Sequence, residues 1–195
     1  MVFDSLSFVV FFALVLLIHY ALTSWHARKI HLVIASYLFY GAWNPLYLLL
    51  LFFSTLLNWA LARKMLVTTH PHARFVLLLI SVSASLGVLF YYKYANFLLE
   101  TLNAVLLFYG TAYSPPKLDL ILPIGISFYT FQTLSYTLDV YRKQLTESYS
   151  LLDFCLYIAF FPQLVAGPIV RADVLLPQFK APKAFDADEF YWGLS

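Results

Sequence analysis

The sequence has few charged residues. Asp, Glu, Lys and Arg together make up 11% of its 195 residues, against roughly 25% in soluble domains. The net charge at pH 7 is only +2, and no basic tract is interleaved with aromatic residues as in proteins that bind single-stranded nucleic acid. The chain is instead 62% hydrophobic and 19% aromatic. This composition excludes an ordinary soluble domain, argues against a nucleic-acid partner and indicates an integral membrane protein.

Cysteine and the common catalytic motifs are also scarce or missing. Cys155 is the one cysteine of the sequence, which excludes an internal disulfide and a CxxC metal or redox pair. No HExxH, GxSxG, P-loop or GxGxxG motif is present. His70 and His72 flank Pro71 in a polar linker without a third ligand, so a solvated loop explains them better than a metal site. We therefore expect no metal and no bound cofactor.

Long apolar runs predict an all-α fold, a single polytopic membrane domain with about five or six membrane-embedded helices. Residues 6–25 are mostly apolar and suffice to cross a hydrocarbon core of about 30 Å. The next apolar block, 32–62, is too long for one ordinary span, and Asn44-Pro45 interrupts it near its middle. Because proline lacks an N–H and clashes with the preceding turn, we expect two helices there, the first a short arm over 32–43.

Basic residues follow the first two apolar blocks. Arg28 and Lys29 close the first block, and Arg63 and Lys64 close the second. Lys and Arg tend to stay on the cytoplasmic side, so both pairs are expected there, joined by a helical hairpin. The run 75–109 would be about 50 Å long as one helix, so it must tilt, kink or leave the membrane. Two separate segments remain the alternative for that run.

A short apolar run follows the return segment expected over 118–139. Residues 152–165 give only about fourteen apolar positions, followed or interrupted by Pro162 and Pro168, with Gly167 between the prolines. Such a run is too short to span a bilayer comfortably. It predicts a re-entrant or interfacial element, whose irregular backbone must line a cavity or be buried in protein.

A polar stripe is expected on the helix within residues 122–144, whose sequence is LPIGISFYTFQTLSYTLDVYRKQ. At spacings of three, four and seven, one face carries Gly125, Phe128, Gln132, Ser135, Tyr136 and Asp139. Such polar groups are costly in hydrocarbon, about 2.5 to 3.5 kcal/mol for an Asp at mid-membrane. We therefore expect this face to contact other helices or a wet cavity.

Five sequence blocks occur in a fixed order: MVFDS, IASYLFYGAWNPLYLLLLFFSTLLNW, YYKYANF, LPIGISF leading to DVYR, and FFPQLVAGPIVR. This series resembles the membrane-bound O-acyltransferase superfamily, and within it the branch that acetylates alginate. The resemblance covers nearly the whole chain and implies the N-terminal portion of a multi-pass protein of the bacterial inner membrane. It also implies transfer of an acyl group, in this branch acetyl, from acetyl-CoA or another acyl carrier to an exported polysaccharide.

The same resemblance implies partners and the location of the catalytic base. A periplasmic or membrane-tethered acetyltransferase of the SGNH-hydrolase type would complete the transfer, and the lipid bilayer is the surrounding phase. The family's catalytic histidine lies in a later membrane helix, beyond residue 195. No histidine of this chain lies near Gln132 or Gly167, so no catalytic residue is carried over, and the fragment alone is expected to be inactive.

The residues that we expect to line a substrate tunnel, or to brace it, lie in the last two blocks. They are Gln132, Tyr136, Asp139, Pro162, Gln163, Gly167, Pro168 and Arg171. Helix packing with internal hydrogen bonds is the competing interpretation of the same residues. Two other functions stay open: a transporter or channel subunit, which also uses broken helices with intramembrane polar groups, and a truncated, non-catalytic membrane scaffold.

Overall fold

A computed structural model describes residues 6–110, 116, 118–166 and 170–180, without the side chains of residues 165 and 166. These residues are helical wherever they form regular structure, and they include no β-strand, so the all-α prediction is confirmed. The longer helices are α1 (Leu6–Ala21), α2 (Trp25–Gly41), α3 (Pro45–Val67), α4 (Pro71–Phe108) and α5 (Ile126–Tyr141). The shorter ones are α6 (Leu151–Ala159), α7 (Phe161–Ala166), α8 (Ala172–Leu175) and a 3₁₀ helix (Leu176–Phe179).

Two of these helices, α3 and α4, are long and apolar enough to cross a membrane by themselves. Helix α1 has 16 residues, and the combined run of α6 and α7 is also shorter than an ordinary span. The described part of the chain therefore supports membrane-spanning helices. The larger number of five or six embedded helices stays a prediction.

The break at Asn44-Pro45 is confirmed. Asn44 lies in an extended conformation, its side-chain oxygen accepts a hydrogen bond from the Leu46 N–H at 2.9 Å, and Pro45 begins α3. The preceding arm is longer than predicted, because α2 already begins at Trp25. Its first turns carry Arg28 and Lys29, which the sequence placed at the close of the first apolar block, and Arg28 Nε donates to the Leu22 carbonyl at 2.8 Å across the short turn from α1.

Helix α4 is one continuous helix of 38 residues, about 57 Å long at ~1.5 Å per residue. The single-element interpretation of 75–109 is thereby confirmed, and the alternative of two segments is wrong. All of its buried residues lie between Arg74 and Leu89. The second half of α4 therefore extends past the helices that cover the first half.

A network of uncharged polar side chains joins α3, α4 and α5 in the core. Asn58 Nδ2 donates to Ser85 Oγ at 3.1 Å, and Ser81 Oγ donates to Asn58 Oδ1. Ser81 Oγ also lies 3.3 Å from Thr137 Oγ1, whose own hydroxyl donates to the Thr133 carbonyl at 2.9 Å. Each buried polar group in this set has a partner, as burial in an apolar bundle requires.

Arg74 joins the ends of two helices. The sequence places it in a polar linker, but its side chain is buried. Nη1 donates to the Met65 carbonyl at 2.7 Å, and Nη2 donates to the carbonyls of Val140 at 3.0 Å and Tyr141 at 2.9 Å. These carbonyls lie in the last turns of α3 and α5, where the helix dipoles favour a cation.

We expect Arg74→Met to lower the free energy of unfolding by about 2 to 4 kcal/mol, because three helix-terminal carbonyls lose a charged donor in a buried site. Arg74→Lys should recover part of this loss, since a single ammonium keeps the charge but not the planar fork. Thermal unfolding in detergent measures both effects. Lys64→Gln, at an exposed position of the same end, is the control. An equal loss of stability in that variant would contradict the role assigned to the three hydrogen bonds of Arg74.

The segment before α5 is not helical, and two phenols hold it in place. Tyr40 Oη donates to the Ile124 carbonyl at 2.9 Å, and Tyr47 Oη donates to the Ile121 carbonyl at 2.6 Å. Gly125 follows at φ +73° and immediately precedes α5. It therefore does not lie on the helical face on which the sequence pattern placed it. A Cβ at this position would lie 3.3 Å from the Leu164 carbonyl oxygen of α7.

We expect Gly125→Ala to destabilise the protein, because alanine in the left-handed region costs about 1 to 2 kcal/mol and its methyl group would press on α7. Gly110→Ala is the matched control, since Gly110 has φ +78° and nothing within 4 Å. Gly87→Ala, in open space inside α4, should stabilise by up to ~1 kcal/mol. Melting temperatures that fall equally at positions 125 and 110 would contradict the contact with α7.

Candidate functional site

Helices α6 and α7, with the return segment 170–179, form what we name the α6–α7 hairpin. Its two ends lie at one end of the bundle, both against the start of α2. Lys29 Nζ donates to Asp153 Oδ1 at 2.6 Å, in the first turn of α6, and Trp25 Nε1 donates to the Phe179 carbonyl at 2.8 Å. Because Trp25 and Lys29 are one turn apart on α2, the hairpin begins and ends at the same level.

The hairpin extends along α5 toward the opposite end of the bundle. Leu164 in α7 contacts Gly125 at the start of α5, and α5 is 16 residues, or about 24 Å, long. The chain breaks at Phe160 between the nine residues of α6 and the six of α7. The described residues thus confirm a short, broken apolar element in this region, whereas its re-entrant or interfacial position stays a prediction.

Gln132 lies at the centre of the contact between α5 and the hairpin. Its side chain is 0% exposed, and Nε2 donates to the Tyr157 carbonyl at 2.9 Å. Gln132 Oε1 is buried and has no hydrogen-bond partner among the described residues. A buried acceptor without a partner is costly. Gln132 therefore fastens the hairpin to α5 and leaves one acceptor for a further group.

Tyr136 packs on the same side of α5. It is 1% exposed, and its ring centroid lies 4.7 Å from that of Phe154 in α6. Tyr157, also in α6, donates its hydroxyl to the Val170 carbonyl at 3.2 Å and so joins the two arms of the hairpin. These contacts are packing contacts, and they support the bracing role more directly than the tunnel role for Tyr136.

Asp139 and Arg171 lie near each other at the basic end of the bundle. Asp139 is half-buried in the last turn of α5, and the charges of Arg171 and Arg142 act on its carboxylate. Arg171 is exposed and precedes α8. The structure thus brings the last residue of the AGPIVR block back to the end of the polar helix.

Two of the remaining predicted site residues lie in α7. Pro162 is half-buried and Gln163 is buried in this helix. Gly167 and Pro168 fall outside the described residues. Phe128 and Ser135, from the predicted polar face of α5, are half-buried. The structure therefore brings Gln132 and Tyr136 together against α6, places Pro162 and Gln163 in α7, with Pro162 on the side of α1, and leaves Asp139 and Arg171 at the basic end.

Sequence reasoning missed Tyr129. It is 1% exposed, and its hydroxyl has no partner among the described residues. Tyr129 lies three residues before Gln132, so the two unpartnered polar atoms lie on successive turns of α5. The signal was available in the sequence as a tyrosine at helical spacing from a glutamine.

The loop between α5 and α6 is fixed at the basic end. Trp59 Nε1 donates to the Tyr149 carbonyl at 3.0 Å, and Lys180 Nζ donates to Glu147 Oε2. The hydrogen bond and the charge of Lys180 hold the pKa of the Glu147 carboxyl below its usual range. Burial raises the pKa of Tyr149. The loop therefore keeps the beginning of the hairpin beside its end.

The described residues of this site do not form a catalytic constellation on their own. Residues 122–180 contain no histidine, and the described residues contain no group of three or more His, Cys, Asp or Glu side chains that could hold a metal. What the site offers is one buried acceptor, one buried hydroxyl and a rigid hairpin. Such a site can position or enclose a substrate, but a base must come from elsewhere.

Several curated proteins are similar to this chain. A Pseudomonas putida protein named probable alginate O-acetylase AlgI is 40% identical over 183 residues, which are 92% of this chain and 37% of that protein. The Pseudomonas aeruginosa protein of the same name is 40% identical over 181 residues, 92% of this chain and 34% of that protein. A Helicobacter pylori peptidoglycan O-acetyltransferase is 35% identical over 177 residues, 78% of this chain and 32% of that protein.

No family model and no solved structure matches the chain. The chain spans about a third of the length of the curated relatives it matches. The identity nevertheless extends over nearly all of its own residues, including the polar helix and the hairpin that form the site. The resemblance indicated by the five sequence blocks is thereby confirmed: along nearly its whole length, the chain is similar to the alginate O-acetylases of the membrane-bound O-acyltransferase superfamily.

Proposed function

We propose that this chain is the N-terminal part of a membrane-bound O-acyltransferase that delivers acetyl groups to an exported polysaccharide. The observation that carries the proposal is the similarity, over most of the chain, to proteins named for O-acetyl transfer to alginate and to peptidoglycan. Both named acceptors are polymers of the cell exterior. The donor would be acetyl-CoA or another acyl carrier, and an SGNH-type acetyltransferase would be the partner that completes the transfer.

The protein would cross the bacterial inner membrane several times, with its basic end in the cytoplasm. Among the described residues, the cations at the end where α2 begins are Arg28, Lys29, Arg63, Lys64, Arg74, Arg142, Lys143, Arg171 and Lys180. The opposite end has Lys93, Glu100 and Asp119. This uneven distribution of Lys and Arg agrees with the positive-inside rule, with the basic end in the cytoplasm. It supports an orientation in which the α6–α7 hairpin enters from the cytoplasmic side.

Single-cysteine labelling tests this orientation. Lys143→Cys lies at the basic end and Tyr109→Cys at the end of α4, and both positions are exposed. In bacterial spheroplasts, a membrane-impermeant maleimide should label Tyr109→Cys at once and Lys143→Cys only after permeabilisation. The native Cys155 is buried, so the unsubstituted protein is the background control. The reverse labelling pattern would overturn the orientation.

Within this enzyme, we assign to the α5–hairpin contact the role of an enclosing wall of the acyl-transfer path. Gln132 Oε1 and the Tyr129 hydroxyl are the polar groups that it presents without partners among the described residues. The acid–base chemistry would be done by a histidine in the rest of the full-length protein, since residues 122–180 supply none. The residues of this chain would hold the substrate in place and exclude water.

The variant Gln132→Leu, made in the full-length protein, distinguishes a role of Gln132 in enclosing the transfer path from simple helix packing. We expect acetylation of the polysaccharide to fall by roughly tenfold or more, the effect of losing one positioning hydrogen bond at a transfer site. Acetyl content of the exported polymer and protein level in the membrane are both measured. Phe131→Leu, at a 50% exposed position on the same helix, is the control.

Two results of the Gln132→Leu experiment would contradict the proposed role of the α5–hairpin contact as an enclosing wall. Normal acetylation with a normal protein level would leave Gln132 without a role in transfer. A parallel loss of protein and acetylation would make its bond to the Tyr157 carbonyl purely structural. The second result would favour a scaffold, a candidate supported by the absence of histidine from residues 122–180.

A further inference from the structure

A cavity of about 400 Å³ lies between α1 and α7, apart from the contact of Gln132 with the hairpin. Its lining is mainly apolar and includes Phe12, Leu16, His19, Phe160, Phe161 and Pro162. Of the 16 residues of α1, only Val15 is buried. The cavity therefore faces the medium around α1, and its floor is the break at which the α6–α7 hairpin turns.

His19 supplies the polar atom of this cavity. Its Nδ1 is buried and has no hydrogen-bond partner among the described residues. The neighbouring ring of His31 lies 6.5 Å away, centroid to centroid, and is already in contact with the Val15 carbonyl at 3.0 Å from Nε2. A buried ring nitrogen of this kind calls for a partner that the described chain does not provide.

Arg28 adds a positive charge that acts on the same histidine. Its Nε donates to the Leu22 carbonyl. The sequence has no Asp or Glu between residues 6 and 99, so the helices around the cavity bring no carboxylate of their own. Of the two carboxylates that the hairpin brings to this end, Asp153 is bonded to Lys29 Nζ at 2.6 Å, and Asp173 lies beside Asp139 at the end of α5. Among the described residues, no carboxylate forms an ion pair with Arg28.

We propose that this cavity binds one anionic phospholipid. An acyl chain would lie against Phe160 and Phe161, and the phosphate would lie at the mouth of the cavity beside the end of α1, where it would accept hydrogen bonds from the Arg28 guanidinium and, after a rotation of the imidazole ring, from His19. The position agrees with this ligand, because His19 and Arg28 lie where α1 ends at the basic end, the level of the headgroups in the proposed orientation. The inference rests on membrane placement and is independent of acyl transfer.

The test is a lipid titration of the full-length protein in detergent, followed by native mass spectrometry. Phosphatidylglycerol and phosphatidylcholine with identical acyl chains are compared. One basic residue near a headgroup contributes about 1 kcal/mol, or roughly fivefold in affinity. We expect the first phosphatidylglycerol to bind at least fivefold more tightly than phosphatidylcholine. Arg28→Gln should remove most of this preference, whereas Arg28→Lys and the exposed control Lys64→Gln should keep it.

A second variant tests the apolar half of the site. Leu16→Trp fills the cavity and should weaken the binding of both lipids, whether or not the Arg28 variants fold. Glycerol 3-phosphate at millimolar concentration should not displace the lipid, and full displacement would identify a free-phosphate site and refute the proposal. Equal binding of the two lipids, or equal losses in Arg28→Gln and Lys64→Gln, would refute it as well. None of these readouts involves acetylation, so a failure of the lipid proposal would leave the proposed function unaffected, and the reverse also holds.

Discussion

The buried guanidinium of Arg74 is the interaction on which the helix arrangement depends. A charge in an apolar bundle is tolerated only where several acceptors surround it, and the last turns of α3 and α5 supply three carbonyls. Arg74 lies in the first turn of α4, so one side chain fixes the relative positions of three helices. The network of Asn58, Ser81, Ser85 and Thr137 then sets how these helices face one another farther along.

Segments of irregular backbone are fastened by uncharged aromatic donors. The indoles of Trp25 and Trp59 bind carbonyls at the basic end, and the phenols of Tyr40 and Tyr47 bind carbonyls before α5. An exposed carbonyl is costly in apolar surroundings, and a ring that ends in a single donor satisfies it without burying a charge. The abundance of aromatic residues in the sequence thus has a structural use beyond hydrophobicity.

How much of this was predictable depends on sequence separation. Local signals gave the break at Asn44-Pro45, the long α4 and the polar face around Gln132, because helical spacing and proline act within a few residues. The hydrogen bonds of Arg74 were not predictable, since the acceptors at residues 140 and 141 lie 66 and 67 positions away. The role of Gly125 was misjudged for a related reason: its positive φ and the approach of Leu164 appear only once the hairpin is folded against α5.

The polar groups of α5 form two sets, one whose hydroxyl groups have hydrogen-bond partners and one with buried atoms that lack them. Thr133 and Thr137 donate to carbonyls of their own helix at 2.8 Å and 2.9 Å, so their hydroxyl groups need no further hydrogen-bond partner. Tyr129 and Gln132 each keep one buried atom without a partner among the described residues, and both lie in the first half of α5. Stability alone would favour apolar residues at these two positions. An external polar group that satisfies them would therefore have to reach the first half of α5, where Gln132 contacts the α6–α7 hairpin.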